Sequence, residues 1–104
     1  MDIKKVIQDL ESGTISTKAT AEAFLDSYTP QEQKQIIAAM YIGRDYFHEN
    51  QFKEGHLPSS SEVDHIPQTD YAEILRSKGK ENVAKYLAIF AKCAENSKFD
   101  MKNF

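Results

Sequence analysis

The side chains that could do chemistry are few. Arg44 and Asp45 form one polar pair, set directly after the apolar run Ile36-Ile37-Ala38-Ala39-Met40-Tyr41-Ile42 and a glycine, Gly43. An arginine so near an apolar face needs oxygen partners, because a guanidinium cannot shed its charge. It reads first as a clamp, tying its helix to a helix end or a loop within the domain or across a subunit boundary. The other reading is an anion-binding arginine. The three histidines are His48, His56 and His65, separated by seven and eight residues, which fits no metal-ligand spacing. His56 and His65 share a polar stretch with Glu62 and Asp64, so a carboxylate–histidine site is geometrically open there. The plainer alternative is a polar loop with incidental histidines. Arg44, Asp45, His48, His56 and His65 are the candidate binding residues. No catalytic group, metal or cofactor is assigned, and the balance leans away from an enzyme.

Other chemistries find little support. His48-Glu49 opens like a zinc-protease helix, but Phe52 stands where the second histidine is required. Cys93 is the only cysteine, which rules out an internal disulfide and any multi-cysteine metal site. It lies beside Ala94 on an apolar flank and reads as a small core hydrophobe, not a nucleophile. The four glycines are isolated, so no phosphate-binding loop exists. The 13 basic and 16 acidic residues give a net charge of −3, which is not a nucleic-acid signature. The charge is uneven, however. From Arg76 to Lys102 seven basic residues face three acids, Glu81, Glu95 and Asp100. A solvated helix face is the plainer account of that excess; an anion-binding patch is the other.

These residues need a scaffold, and the chain organises itself around residues 30–50. Thr29 is placed to cap a helix, with Pro30 at its first position and Glu32 closing a capping box. Ile36, Met40, Gly43 and Phe47 fall on one face, and the apolar run around them demands burial on several sides. A glycine inside so apolar a helix points to another helix backbone passing close by. Upstream, Ile3, Val6, Ile7 and Leu10 recur at helical spacing and Gly13 is a stop. Ser16 or Thr17 caps a second helix, for which Glu22 comes too late to close a capping box. Its Ala19, Ala23 and Phe24 form a small-residue face suited to lie against the central helix. Residues 54–68 gather Gly55, Pro58, Ser59 to Ser61 and Pro67 into one long loop. Thr69 caps a fourth helix closed by Lys78-Gly79. The fifth runs from Lys80 to Asn96 with Val83, Leu87, Phe90 and Ala94 on its inner face and Tyr86, Ile89 and Cys93 beside it. The tail 97–104 carries Phe99, Met101 and Phe104 without a period; it docks or is flexible. The expectation is one all-α domain over residues 1–104, a bundle of about five helices around 30–50.

The segment Phe24-Leu25-Asp26, Glu32-Gln33, Ile36 and Ala39 to Phe47 resembles a bacterial family of small uncharacterised proteins, known only as a domain of unknown function. That family has a helix ending in a Leu/Ile-Gly-Arg-Gly-Asp-like run. Tyr71 to Leu75 and Val83 to Leu87 are similar to its closing helices, so the resemblance spans about residues 20–90. Here Asp45 follows Arg44 without the extra glycine, and 54–68 stands as an insertion. The resemblance implies an all-helical fold in a bacterial cytoplasm and no activity.

The functional expectation is a non-enzymatic interaction or regulatory module that self-associates as a homodimer. Its ground is an apolar central helix that a short chain has difficulty covering alone, plus exposed tail aromatics. One alternative is a DNA-binding regulator. The tight junction between the second and third helices forms an αα corner, and residues 17–35 would offer Gln31, Gln33, Lys34 and Gln35 to base edges. Acidity and the apolar course of the third helix weigh against it. The other alternative is a small anion- or ligand-binding protein using Arg44 and the loop histidines. No run approaches the roughly 20 apolar residues of a membrane helix. The start, Met1 to Val6, has neither an apolar signal core nor a cleavage site. With the single cysteine, this places the protein in the cytoplasm as an expectation.

Overall fold

A computed structural model describes residues 1–104. Five helices form the chain: α1 (Ile3–Ser12), α2 (Lys18–Asp26), α3 (Pro30–Asp45), α4 (Tyr71–Lys78) and α5 (Lys80–Asn96). Short 3₁₀ turns occupy Ser60–Val63, Gln68–Asp70 and Met101–Asn103. There is no strand. α3 lies against α5 and against the Ser60–Val63 turn, α1 packs on α5, and α2 packs on α4.

α3 begins as its sequence dictates. The Thr29 hydroxyl accepts from the Glu32 N–H, Glu32 returns the bond to the Thr29 N–H, and Pro30 occupies the first turn. Ile36, Ile37, Ala38, Ala39 and Met40 are wholly buried within this one chain. The helix ends at Asp45, not near Asn50. Tyr46 leaves helical geometry, and residues 47–50 are exposed, so they offer no apolar face to a continuing helix. Their backbone is held instead by the end of α5. Asn96 Nδ2 donates to the Asn50 carbonyl and Ser97 Oγ accepts from the Phe52 N–H. Phe47 therefore leaves the stripe it was assigned to and is 41% exposed, while Tyr46 takes the buried place.

Gly43 marks the crossing of α3 and α5. A Cβ built there would lie 2.8 Å from the Tyr86 carbonyl carbon and 3.3 Å from the Phe90 nitrogen. The two backbones touch because nothing stands between them. α5 buries Val83, Leu87, Phe90, Cys93 and Ala94, and it starts after Gly79, whose φ of 86° lets α4 and α5 meet in a tight corner.

Elsewhere the sequence reading needs correction. Thr17 does cap α2, but the box is closed by Thr20, a residue type the Glu/Gln rule overlooks. α2 buries Ala21 and Leu25, not Ala19 and Ala23, and lies on α4. Thr69 does not cap α4; it sits within the Gln68–Asp70 turn, and α4 starts at Tyr71 without a side-chain cap. The stretch 54–68 contains the Ser60–Val63 turn, capped by a Ser59–Glu62 box, with Val63 and Ser60 buried. In the tail, Phe104 is buried with its ring 4.8 Å from that of Phe90, and its carbonyl accepts from the Ser60 N–H.

Candidate functional site

The C-terminal half of α3 faces the segment 62–66 across an open recess of about 340 Å³, lined by Tyr41, Arg44, Asp45, Glu62, His65 and Ile66 among others. Three candidates from the sequence, Arg44, Asp45 and His65, thus meet at one place. His48 and His56 do not. His48 stacks edge-on against Phe47 with centroids 4.8 Å apart, and His56 lies in a separate hydrogen-bonded chain.

Arg44 is not a clamp within the chain. It is exposed and belongs to none of the ion pairs of the chain, which are Lys5–Asp9, Lys34–Asp64, His56–Glu62 and Arg76–Glu73. Its guanidinium lies 5.3 Å from the centre of the Tyr41 ring, one helical turn back. Lys78, in the last turn of α4, brings its ammonium within 5.5 Å of the same ring. Both cations are attracted by the ring's electron-rich face, and neither has an acidic partner. Two like charges held near one aromatic surface leave unspent electrostatic capacity for an anion. Sequence reasoning missed Lys78 here because the α4–α5 corner brings it to Tyr41 from far along the chain.

The second constellation runs through Tyr46, His56 and Glu62. The Lys53 N–H donates to the Tyr46 hydroxyl at 3.1 Å, and that hydroxyl shares a hydrogen bond of 2.6 Å with His56 Nδ1. His56 Nε2–H then donates to Glu62 Oε2 at 2.9 Å, which also accepts from the Ser59 N–H. This is the carboxylate–histidine pair that the sequence left open, with Tyr46 as an unforeseen third member. Each polar atom of the imidazole is taken, so the chain ties the end of α3 to the loop and has no spare proton site for a substrate. The signal for Glu62 was present: Ser59-Ser60-Ser61-Glu62 has capping-box spacing. His56 also borders a larger groove, about 600 Å³, between residues 52–59 and 97–103. Leu57 there is 82% exposed.

The αα-corner reading draws little support from the geometry. Gln33 is buried, its amide nitrogen donating to the carbonyls of Leu25 and Tyr28 and its oxygen accepting from Gln68. Gln31 donates to Ser60, and Lys34 pairs with Asp64. Those three of the four proposed base readers are engaged with the protein itself. Within one chain, Ile36 to Met40 of α3 are covered and Phe104 is buried. Cys93 is fully buried, its thiol pushed up by that burial, and it points its S–H toward the Glu49 carbonyl. No three His, Cys, Asp or Glu side chains gather where they could hold a metal ion, and no helix is long and apolar enough to cross a membrane. Compared with protein-family models, curated proteins and solved structures, the chain matches none.

Proposed function

We propose that this protein is a small non-enzymatic recognition module that binds an anionic group of a partner at the Tyr41–Arg44–Lys78 recess. The observation that carries the reading is the pair of cations without acidic partners held against one ring, that of Tyr41, which with Arg44 lines an open concavity. An anion there would accept from the Arg44 fork and the Lys78 ammonium together, without having to break an existing ion pair. Asp45 beside Arg44 and Glu62 across the recess repel a bulky polyanion and favour a single carboxylate or similar group. His65 adds ring nitrogens beside it.

The test uses a blocked peptide with one carboxylate, Ac-Glu-Gly-Gly-Gln-amide, titrated while backbone amide resonances are followed. Shifts are expected at Tyr41, Arg44 and Lys78. Arg44→Ala should remove them while the helical circular dichroism stays as it was. Shifts scattered over the surface, or shifts indifferent to Arg44→Ala, would sink the reading.

A further inference from the structure

Tyr46 and His56 are joined twice, by the 2.6 Å bond between the Tyr46 hydroxyl and His56 Nδ1 and by their stacked rings, 5.6 Å apart at the centres. The chain between them, residues 47–55, is therefore a loop closed at its own neck. Of these residues only Phe52 is half-buried; the others are exposed. No backbone–backbone hydrogen bond ties them to another element; the two that touch the loop are local, Glu49 N–H to the Tyr46 carbonyl and His56 N–H to the Lys53 carbonyl. Apart from the Lys85 ammonium over the Phe47 ring, the loop is fastened at the last turn of α5. Ser97 Oγ accepts from the Phe52 N–H at 2.8 Å, and Asn96 Nδ2 donates to the Asn50 carbonyl at 2.9 Å. The Phe52 ring lies 5.5 Å from that of Phe90 and 6.0 Å from that of Phe99. Against the loop sits Cys93, fully buried, its S–H toward the Glu49 carbonyl at 3.9 Å.

We infer that residues 47–55 are a strap that lifts off α5 as a unit while the helices stay folded, and that lifting it uncovers Cys93 and the rings of Phe90 and Phe99. Segments with few buried apolar contacts and exposed backbone open at a small fraction of the free energy of global unfolding. The strap fits that description, with one apolar anchor and a few side-chain bonds. None of its residues belongs to the hydrogen-bond ladder of α3 or α5, so neither helix has to unwind when it leaves. The Tyr46–His56 neck, continued to Glu62, holds both ends in place meanwhile. Gly55, with φ of 85° and no atom near its missing Cβ, gives the chain a permissive joint just before the neck. What the strap covers is chemically distinct from the rest of the surface: the one thiol of the chain and an aromatic floor.

The experiment follows the reaction of Cys93, the only cysteine, with dithionitrobenzoate in the whole protein. In the parent, the labelling rate should stay nearly flat in urea well below the unfolding transition, because a local opening exposes little surface. Ser97→Ala removes the acceptor of the Phe52 N–H and should speed labelling about fivefold, the worth of one hydrogen bond. Phe52→Leu, which shrinks the anchor, should speed it as well. Tyr28→Phe is the control: it breaks the bond of Tyr28 to Asp9 in α1 and none of the strap's, so it should leave the rate unchanged. Labelling that rises steeply with urea and is quickened by Tyr28→Phe would mean that the thiol is reached only through global unfolding, and overturns the strap. A flat rate indifferent to both Ser97→Ala and Phe52→Leu would mean that the thiol is reached from another side, and overturns it equally.

Discussion

Gly43 and Tyr86 are in backbone contact: the α-carbon of one faces the carbonyl of the other with no room for a methyl group between them. The nearest obstacles are main-chain atoms, Tyr86 O and C and Phe90 N, which cannot swing aside as a side-chain tip would. Gly43→Ala should therefore destabilise the protein even though alanine favours helix by about 1 kcal/mol. Overpacking costs typically about 1–3 kcal/mol, and a forced separation of α3 from α5 sits at the upper end. The net expectation is a loss of about 2 kcal/mol, roughly 10 °C in Tm for a domain of this length. Thermal unfolding followed by circular dichroism checks it; an unchanged or raised Tm would mean the helices do not cross there.

Tyr46 and His56 should be energetically coupled. Tyr46→Phe leaves the Lys53 N–H and His56 Nδ1 without their partner, in a half-buried place, and should cost about 1–2 kcal/mol. His56→Ala should cost a similar amount. Because both substitutions break the same bond, the double variant should lose about 1 kcal/mol less than the sum. Urea unfolding of the four proteins gives the cycle. Strict additivity would show that the chain from Tyr46 to Glu62 holds nothing together.

What could be read from the sequence was local. The capping box of Thr29 and Glu32, the stop at Gly79 and the inner face of α5 follow from neighbours within a turn or two, and all are found in place. Gly43 is the one long-range feature visible in advance, because a glycine in an apolar helix has few other reasons to be there. The site was only half legible. Arg44, Asp45 and His65 were picked by residue type and do meet. Lys78, which reaches the Tyr41 ring, was seen only as part of a charge excess, since nothing local says which aromatic a surface lysine will cover. Tyr46 was hidden for the opposite reason. A uniform period of 3.6 residues assigned the inward place to Phe47, and only the chain's turn after Asp45 exchanged the two rings.

Arg44 should matter little for stability. Its guanidinium is exposed, pairs with no acid and loses only a cation–π contact on truncation, worth about 0.5–1 kcal/mol at such a site. Arg44→Ala is expected to keep Tm within about 5 °C of the parent. Buried clamps behave otherwise: removing one partner costs about 3–5 kcal/mol. A drop of that size, seen in the same thermal scan, would return Arg44 to a structural role and take the anion site with it.

Tyr28 and Asp9 join the α2–α3 junction to α1 through a 2.6 Å hydrogen bond, and they should shape stability at both ends of the pH scale. The Tyr28 hydroxyl, helped by Lys5, holds the Asp9 carboxyl below the usual carboxylate range. A depressed folded value means stability that is present above the unfolded value of about 4 and is lost as pH falls through the folded one. Burial, reinforced by the Asp9 carboxylate, pushes the Tyr28 phenol upward. A raised folded value means stability present below about 10 and lost as pH rises beyond it toward the folded one. Tyr28→Phe removes the phenol's titration and the larger part of the effect on Asp9, Lys5 keeping the rest, while leaving the ring in its contact with Phe24. The parent should be the more stable protein near neutrality, and the gap should shrink at about pH 3 and again at about pH 11. Urea midpoints at the three pH values measure this. A gap that stays constant across them would show that the Tyr28 hydroxyl and the Asp9 carboxylate do not depend on each other.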